Sequence, residues 1–245
     1  MRVSKIYMFF YLLLLASFSC ESDAQIENPI IETPVIPNPE VPGPLKYLAL
    51  GDSYTIGESV CATCRFPAQL KDSLAQQITD SGMTLKIIAQ TGWTTTNLMT
   101  AINNETLPNQ YDLVTLLIGV NNQYQNKPFS LYQSEFPQLL SKAILLAKGD
   151  KNNVIVVSVP DYAFTPFGQG TGDQAGITSD INQYNSFAQN YCLQQNVEFV
   201  NITEITREGL NDPELVASDG LHPSEKAYTR FVERILPKAL TALGD

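Results

Sequence analysis

Histidine is almost absent from this chain: its 245 residues contain one, His222. Any step that needs an imidazole must therefore use that residue. Basic residues are also scarce, 15 against 25 acidic ones, for a formal net charge of −10. Such a surface repels phosphate backbones, so nucleic acid is not an expected partner, whereas a neutral substrate stays open. Long apolar runs are lacking. The run at 6–15 has about ten residues, roughly half of what a membrane-spanning helix needs. With 44% hydrophobic and 16% charged residues, the composition is that of an ordinary globular chain. Disorder and a multi-span membrane protein are both excluded on that ground. No internal repeat is visible.

The first residues read as an export signal. Arg2 and Lys5 precede the apolar run, and the small residues Ala16, Ser17 and Ser19 follow it, just before Cys20. This order resembles a bacterial lipoprotein signal, in which the cysteine becomes the lipid-bearing first residue. Phe18 stands where that pattern usually has a small residue, and leucine is missing three positions before the cysteine. An ordinary signal peptide is the alternative. Residues 21–44 carry Pro29, Pro34, Pro37, Pro39, Pro42 and Pro44 without apolar periodicity. Such spacing favours an extended tether at ~3 Å per residue; a disordered N-terminus without a mechanical role is the alternative. The expected organisation is a signal peptide over 1–19, a lipid-anchored proline-rich linker over 20–44 and one domain over 45–245, exported to a bacterial cell envelope and held on a membrane through Cys20. About 200 residues are enough for one substantial core.

From residue 45 onward short apolar runs alternate with amphipathic stretches. The runs at 45–50, 85–89, 113–118, 154–159 and 197–202 predict strands. They are continuous rather than alternating, as in strands covered on both faces. The stretches at 67–80, 95–103, 130–148 and 179–195 predict helices, with Pro137 expected to kink or divide the third. A last helix follows Pro223, where Ala227, Phe231 and Ile235 recur every fourth residue. Strand–helix alternation predicts a three-layer α/β/α domain around a parallel sheet. Ligands of such sheets bind beyond the carboxyl ends of the strands.

Chemistry-bearing residues gather at those ends. The first strand runs into Gly51-Asp52-Ser53-Tyr54-Thr55-Ile56-Gly57. Glycine permits a sharp turn that exposes a serine as a nucleophile; equally, Ser, Asp and Thr are helix caps. The second strand ends in Gln90-Thr91-Gly92 and the third in Gly119-Val120-Asn121-Asn122. These supply donors for the oxyanion of acyl transfer, or merely the glycine and asparagine of loops. Near the C-terminus stands Ser218-Asp219-Gly220-Leu221-His222-Pro223. A serine hydroxyl needs a base, and the base an orienting group. Asp219 and His222, three positions apart on an expected loop, can meet.

These four blocks, in this order, resemble the SGNH branch of the GDSL esterase and lipase family over the whole domain from about residue 45. The resemblance implies a flavodoxin-like, five-stranded parallel sheet. It implies Ser53 as nucleophile, Asp219 and His222 as the rest of a catalytic triad, and an oxyanion hole from the Ser53 N–H, the Gly92 N–H and the Asn121 side chain. Two positions depart from the family pattern: Tyr54 replaces the leucine, and Asn122 stands where many members have aspartate. The second departure bears on fine positioning.

Cys61 and Cys64 form a Cys-x-x-Cys pair, for which a disulfide is the expectation in an exported protein. Metal binding is the rival, without a second cysteine pair to complete a site. Cys192 is expected to be a buried apolar residue. Residues 160–178, with Tyr162, Phe164 and Phe167, predict a long loop that either walls the substrate site or packs as surface. The function expected is hydrolysis of a carboxylic ester through an acyl-enzyme on Ser53, without metal or organic cofactor. Acetylated carbohydrate is the first substrate and lysophospholipid the rival. A non-catalytic binding lipoprotein is the alternative of a different class.

Overall fold

The computed structural model describes residues 43–78 and 82–244. The signal peptide, Cys20 and nearly all of the linker lie outside them. Five parallel strands make one sheet: β1 (Leu45–Gly51), β2 (Met83–Ala89), β3 (Leu113–Leu117), β4 (Val154–Val157) and β5 (Glu198–Val200), in the order β2-β1-β3-β4-β5. The helices in chain order are α1 (Ser53–Ile56), α2 (Phe66–Gln77), α3 (Thr95–Asn104), α4 (Val120–Tyr124), α5 (Phe129–Leu146), α6 (Pro166–Gly170), α7 (Gln174–Gln195), α8 (Thr203–Thr206) and α9 (Glu225–Leu243).

Side chains alternate along each strand, so one sequence run feeds two cores. On one face Tyr47, Ala49, Leu117 and Val157 pack beneath α2 and α9, through residues such as Leu70 and Phe231. On the other, Leu48, Leu50, Leu116 and Val156 pack beneath α3, α5 and α7, through Leu98, Phe136 and Tyr184. This is the three-layer α/β/α arrangement. Each fully buried Leu or Phe contributes about 1.5–3 kcal/mol. The two edge strands carry charged pairs, Lys86–Glu105 at 2.5 Å beside β2 and Lys238–Glu198 at 3.0 Å on β5, which discourage further strand pairing.

Two expectations need correction. Pro137 does not divide α5, which runs unbroken from Phe129 to Leu146. Tyr132, Phe136, Leu139, Leu140 and Ala143 are buried on both sides of the proline and hold the whole helix against the sheet. The stretch 160–178 is not a long loop. It contains a 3-10 turn at Tyr162–Phe164, then α6, then the first turns of α7. These pieces are too short for an apolar period. Their caps are local: Thr165 Oγ1 accepts from Gly168 N at 3.1 Å, and Asp173 Oδ1 from Gly176 N at 3.1 Å.

The chain leaves β1 for β2 at one edge, then returns to β3 on the other side of β1. That reversal opens a crevice at the carboxyl ends of β1 and β3. Among the described residues no helix is long and apolar enough to cross a membrane.

Candidate active site

The nucleophile block is shaped by close approach. Gly51 pairs with Leu117 of β3, and a Cβ at Gly51 would collide with the Leu117 carbonyl and the Thr55 hydroxyl. Only glycine lets β1 end here. Asp52, not Ser53, caps α1: its Oδ1 accepts from Tyr54 N at 3.1 Å. The Ser53 side chain is thus spared the capping role. Its N–H opens the helix, outside the intrahelical ladder.

Asp52 is fully buried, and its Oδ2 has no partner within the protein. Burial pushes its carboxyl up to about 7, against the Tyr54 N–H bond and the nearby Asn121 amide, whose Nδ2 lies outside hydrogen-bond geometry; both favour the ionised form. The folded pKa exceeds the ordinary carboxylate value, so the folded state loses stability as pH rises from about 4 to about 7. The loss is on the order of a few kcal/mol. The thermal midpoint should fall between pH 5 and 8, and Asp52→Asn, which keeps the cap acceptor, should flatten that slope. Parallel pH profiles of the two proteins would contradict it.

The base block closes on itself. His222 Nδ1 lies 2.6 Å from Asp219 Oδ2, while Asp219 Oδ1 accepts from Leu221 N at 2.9 Å and His222 N at 3.0 Å. Partial burial would push the Asp219 carboxyl up. Hydrogen bonds from Ser59, His222 and the two backbone N–H groups outweigh it and hold the group well below the usual carboxylate range. The loop is pinned by Ala217 N donating to His222 O at 2.7 Å and Ser224 N to Leu215 O at 2.9 Å. Pro223 sits in an isolated bridge to Val216, just before α9. With Nδ1 engaged by Asp219, Nε2 is the nitrogen left for a reacting group.

Ser53, His222, Gly92 and Asn121 line one cavity of about 220 Å³. Gly92 has φ +83°, a conformation that other residues rarely adopt. Gln125 Nε2 holds its carbonyl at 2.8 Å. Asn121, on the first turn of α4, is 9% exposed, and its Nδ2 has no partner within the protein. A buried amide donor without an acceptor is costly; the Asp52 carboxylate is the acceptor beside this one, outside hydrogen-bond geometry.

The departure at Asn122 has a physical reason. Its Oδ1 accepts from Thr95 N at 2.9 Å, and its Nδ2 donates to Thr95 Oγ1 at 2.7 Å. Thr95 Oγ1 itself donates to the Glu135 carboxylate. The group facing Thr95 must therefore both accept and donate, which an amide does and a carboxylate does not. The clamp ties α4, which carries Asn121, to the start of α3, just beyond Gly92.

The sequence reading missed several parts of the site. Tyr54, which departs from the family's leucine, packs its ring on His222, with centroids 5.3 Å apart. Ser59 donates to Asp219 Oδ2 at 2.6 Å from 160 positions away. Tyr124 was not foreseen either; it completes an aromatic wall with Tyr162 and Phe167, so of the two expected roles of those residues the walling one holds, with centroid separations of 6.0–6.4 Å. Of these, only the aromatic residues in 160–178 gave a signal in the sequence. Cys61 and Cys64 are disulfide-bonded, with Cα atoms 5.0 Å apart. Cys192 is buried and free, its thiol pushed up to about 12 by burial. Among the described residues no group of three His, Cys, Asp or Glu is placed to hold a metal ion.

Comparison with known proteins bears on the fold and the family. A search of curated protein sequences finds no match. Solved structures share the fold. A lipase/acylhydrolase from Enterococcus faecalis is 20% identical with a TM-score of 0.61, covering 79% of this chain and 94% of its own. An acetylxylan esterase from Geobacillus stearothermophilus is 19% identical with a TM-score of 0.58, covering 84% and 96%. A lipolytic protein of the G-D-S-L family from Veillonella parvula is 17% identical with a TM-score of 0.59, covering 79% and 97%. The family model for the GDSL-like lipase/acylhydrolase family matches residues 49–230, most of the chain and all four blocks. The chain therefore belongs to the GDSL-like lipase/acylhydrolase family, and is a hydrolase of carboxylic esters.

Proposed function

We propose that the protein is a serine esterase for short acyl groups, with O-acetyl groups on carbohydrate as its substrate class. The observation that carries the mechanism is the cavity lined by Ser53, His222, Gly92 and Asn121, with His222 Nδ1 held 2.6 Å from Asp219 Oδ2. The Asn121 amide is the side-chain donor this reading assigns to the oxyanion. Ser53 Oγ attacks the ester carbonyl carbon and passes its proton to His222 Nε2. The N–H groups of Ser53 and Gly92 and the Asn121 amide receive the negative oxygen. The ester C–O bond then breaks, and His222 returns the proton to the departing alcohol. Water repeats the sequence on the acyl-enzyme: its proton goes to His222, the acyl–Oγ bond breaks, Ser53 regains the proton and the acid leaves.

Size and rim support a small acyl group. The cavity, about 220 Å³, is close to engineered cavities of ~150 Å³ that hold benzene. That is room for a short acyl group and part of the alcohol. The rim rings Tyr124 and Phe167 are 51% and 39% exposed and uncharged. Such amphipathic faces suit the apolar face of a sugar better than a charged headgroup. A panel of p-nitrophenyl esters of rising chain length, then acetylated glycans and lysolipids, decides the matter. Acetyl and propionyl should be cleaved fastest. Preference for long chains or lysolipids would replace this reading by a lysophospholipase. Asn121→Ala should lower kcat by roughly 10²–10³-fold with less effect on KM, because the donor acts in the transition state. A pure KM effect would make Asn121 a substrate-positioning residue instead.

Export and lipid anchoring at Cys20 belong to the same proposal, with the proline-rich segment as tether. Labelled fatty acid should be incorporated by the wild type and not by Cys20→Ser. Equal membrane retention of the two would contradict the anchor.

A further inference from the structure

We infer that Ser59 is a positioning residue for the reaction, locking the Asp219–His222 pair to the segment that carries the nucleophile. This rests on the serine-esterase reading above. Asp219 Oδ2 is shared between two donors at the same distance, His222 Nδ1 and Ser59 Oγ, each 2.6 Å away. The bonds to Asp219 Oδ1 come from Leu221 and His222, within its own loop. They fix the carboxylate relative to that loop but not relative to Ser53. Ser59 supplies the missing reference. It stands six residues after Ser53, and the N–H groups of Gly57 and Glu58 both bond the Ser53 carbonyl at 3.0 Å. One short segment therefore holds the nucleophile at one end and the triad carboxylate at the other.

That segment is built to keep Ser59 in place. Ser59 has φ +65°, a left-handed conformation uncommon for a residue with a side chain. The disulfide Cys61–Cys64 closes the turn just beyond it. Arg65 Nη1 donates to Ile56 O at 3.1 Å across the loop's base. Glu58, next to Ser59, accepts from the Thr91 hydroxyl, which precedes Gly92. The same loop thus touches both the triad and the oxyanion side of the cavity. A held carboxylate matters because a misplacement of about 1 Å in a catalytic group lowers turnover by up to about 10²-fold.

The hydroxyl has an electrostatic consequence too. Its proton takes up part of the charge on the oxygen that faces His222. Without it, more negative charge faces the imidazole. The Tyr54 ring packs on His222, Asp161 and Tyr162 lie across the neighbouring pocket, and Asp52, Glu58 and Tyr228 are grouped around Tyr54 and Asp219. Asp161 is already paired with Arg207 at 3.0 Å.

The test is the series Ser59→Ala, Ser59→Gly and Ser59→Asn in the oxidised protein. Glycine adopts the left-handed backbone freely, so Ser59→Gly removes the hydroxyl without adding strain. Asparagine tolerates that backbone and carries a donor. Ser59→Gly and Ser59→Ala should both lose kcat on the order of 10-fold with KM little changed. Both should move the acid limb of kcat/KM to higher pH, and Ser59→Asn should recover part of each effect. Wild-type kcat and pH profile in Ser59→Gly, with Ser53 still labelled by a fluorophosphonate, would overturn the inference alone. Failure of the wild type to label at Ser53 would overturn the esterase reading and this inference with it.

Discussion

His222→Ala is expected to lose ester hydrolysis by roughly 10³-fold or more, because no second histidine exists to take over. The acid limb of the pH profile should vanish with it. A general base must be neutral to accept the Ser53 proton, so wild-type kcat/KM should fall as pH drops and the imidazole becomes charged. The single histidine makes a chemical test unusually clean. Diethylpyrocarbonate should inactivate the enzyme with one modified histidine per chain, and a bound substrate analogue should protect it, since His222 lies in the cavity wall. Asp219→Asn should also lose most activity, because the amide favours the wrong tautomer at the nitrogen now 2.6 Å from the carboxylate. Near-wild-type turnover in His222→Ala would refute the triad.

Ser53→Ala should lose about 10³-fold or more in kcat while the fold stays intact. The second half follows from the local structure. Asp52 provides the cap of α1, and the Ser53 hydroxyl is no part of that cap. An unchanged thermal midpoint with lost turnover is the expected pair of results. A collapsed midpoint would show that the hydroxyl holds the nucleophile loop together instead.

Most of the sheet was legible because buried parallel strands are plain apolar runs, and each of the five lies within one or two residues of its expected place. The layers followed from strand–helix alternation. What was illegible had no periodic signature. The caps at Thr165 and Asp173 build helical turns in a stretch that reads as loop. The packing against the sheet that carries α5 through Pro137 is a tertiary effect, invisible to local propensity. In the site, residues that act within one block stood out, as Asp219 and His222 do three positions apart. Ser59 did not, since its partner lies 160 positions away. Asn122 was visible only as a departure, and its reason needed Thr95 and Glu135, neither adjacent in sequence.

The central claim is that Ser53 forms the acyl-enzyme. A fluorophosphonate reacts covalently with an activated serine, and mass spectrometry of the digested protein locates the adduct. One adduct per chain on Ser53, absent in His222→Ala, is the result a serine esterase of this design requires. An adduct on a different serine, or turnover of an acetate ester that survives full modification of Ser53, would contradict it.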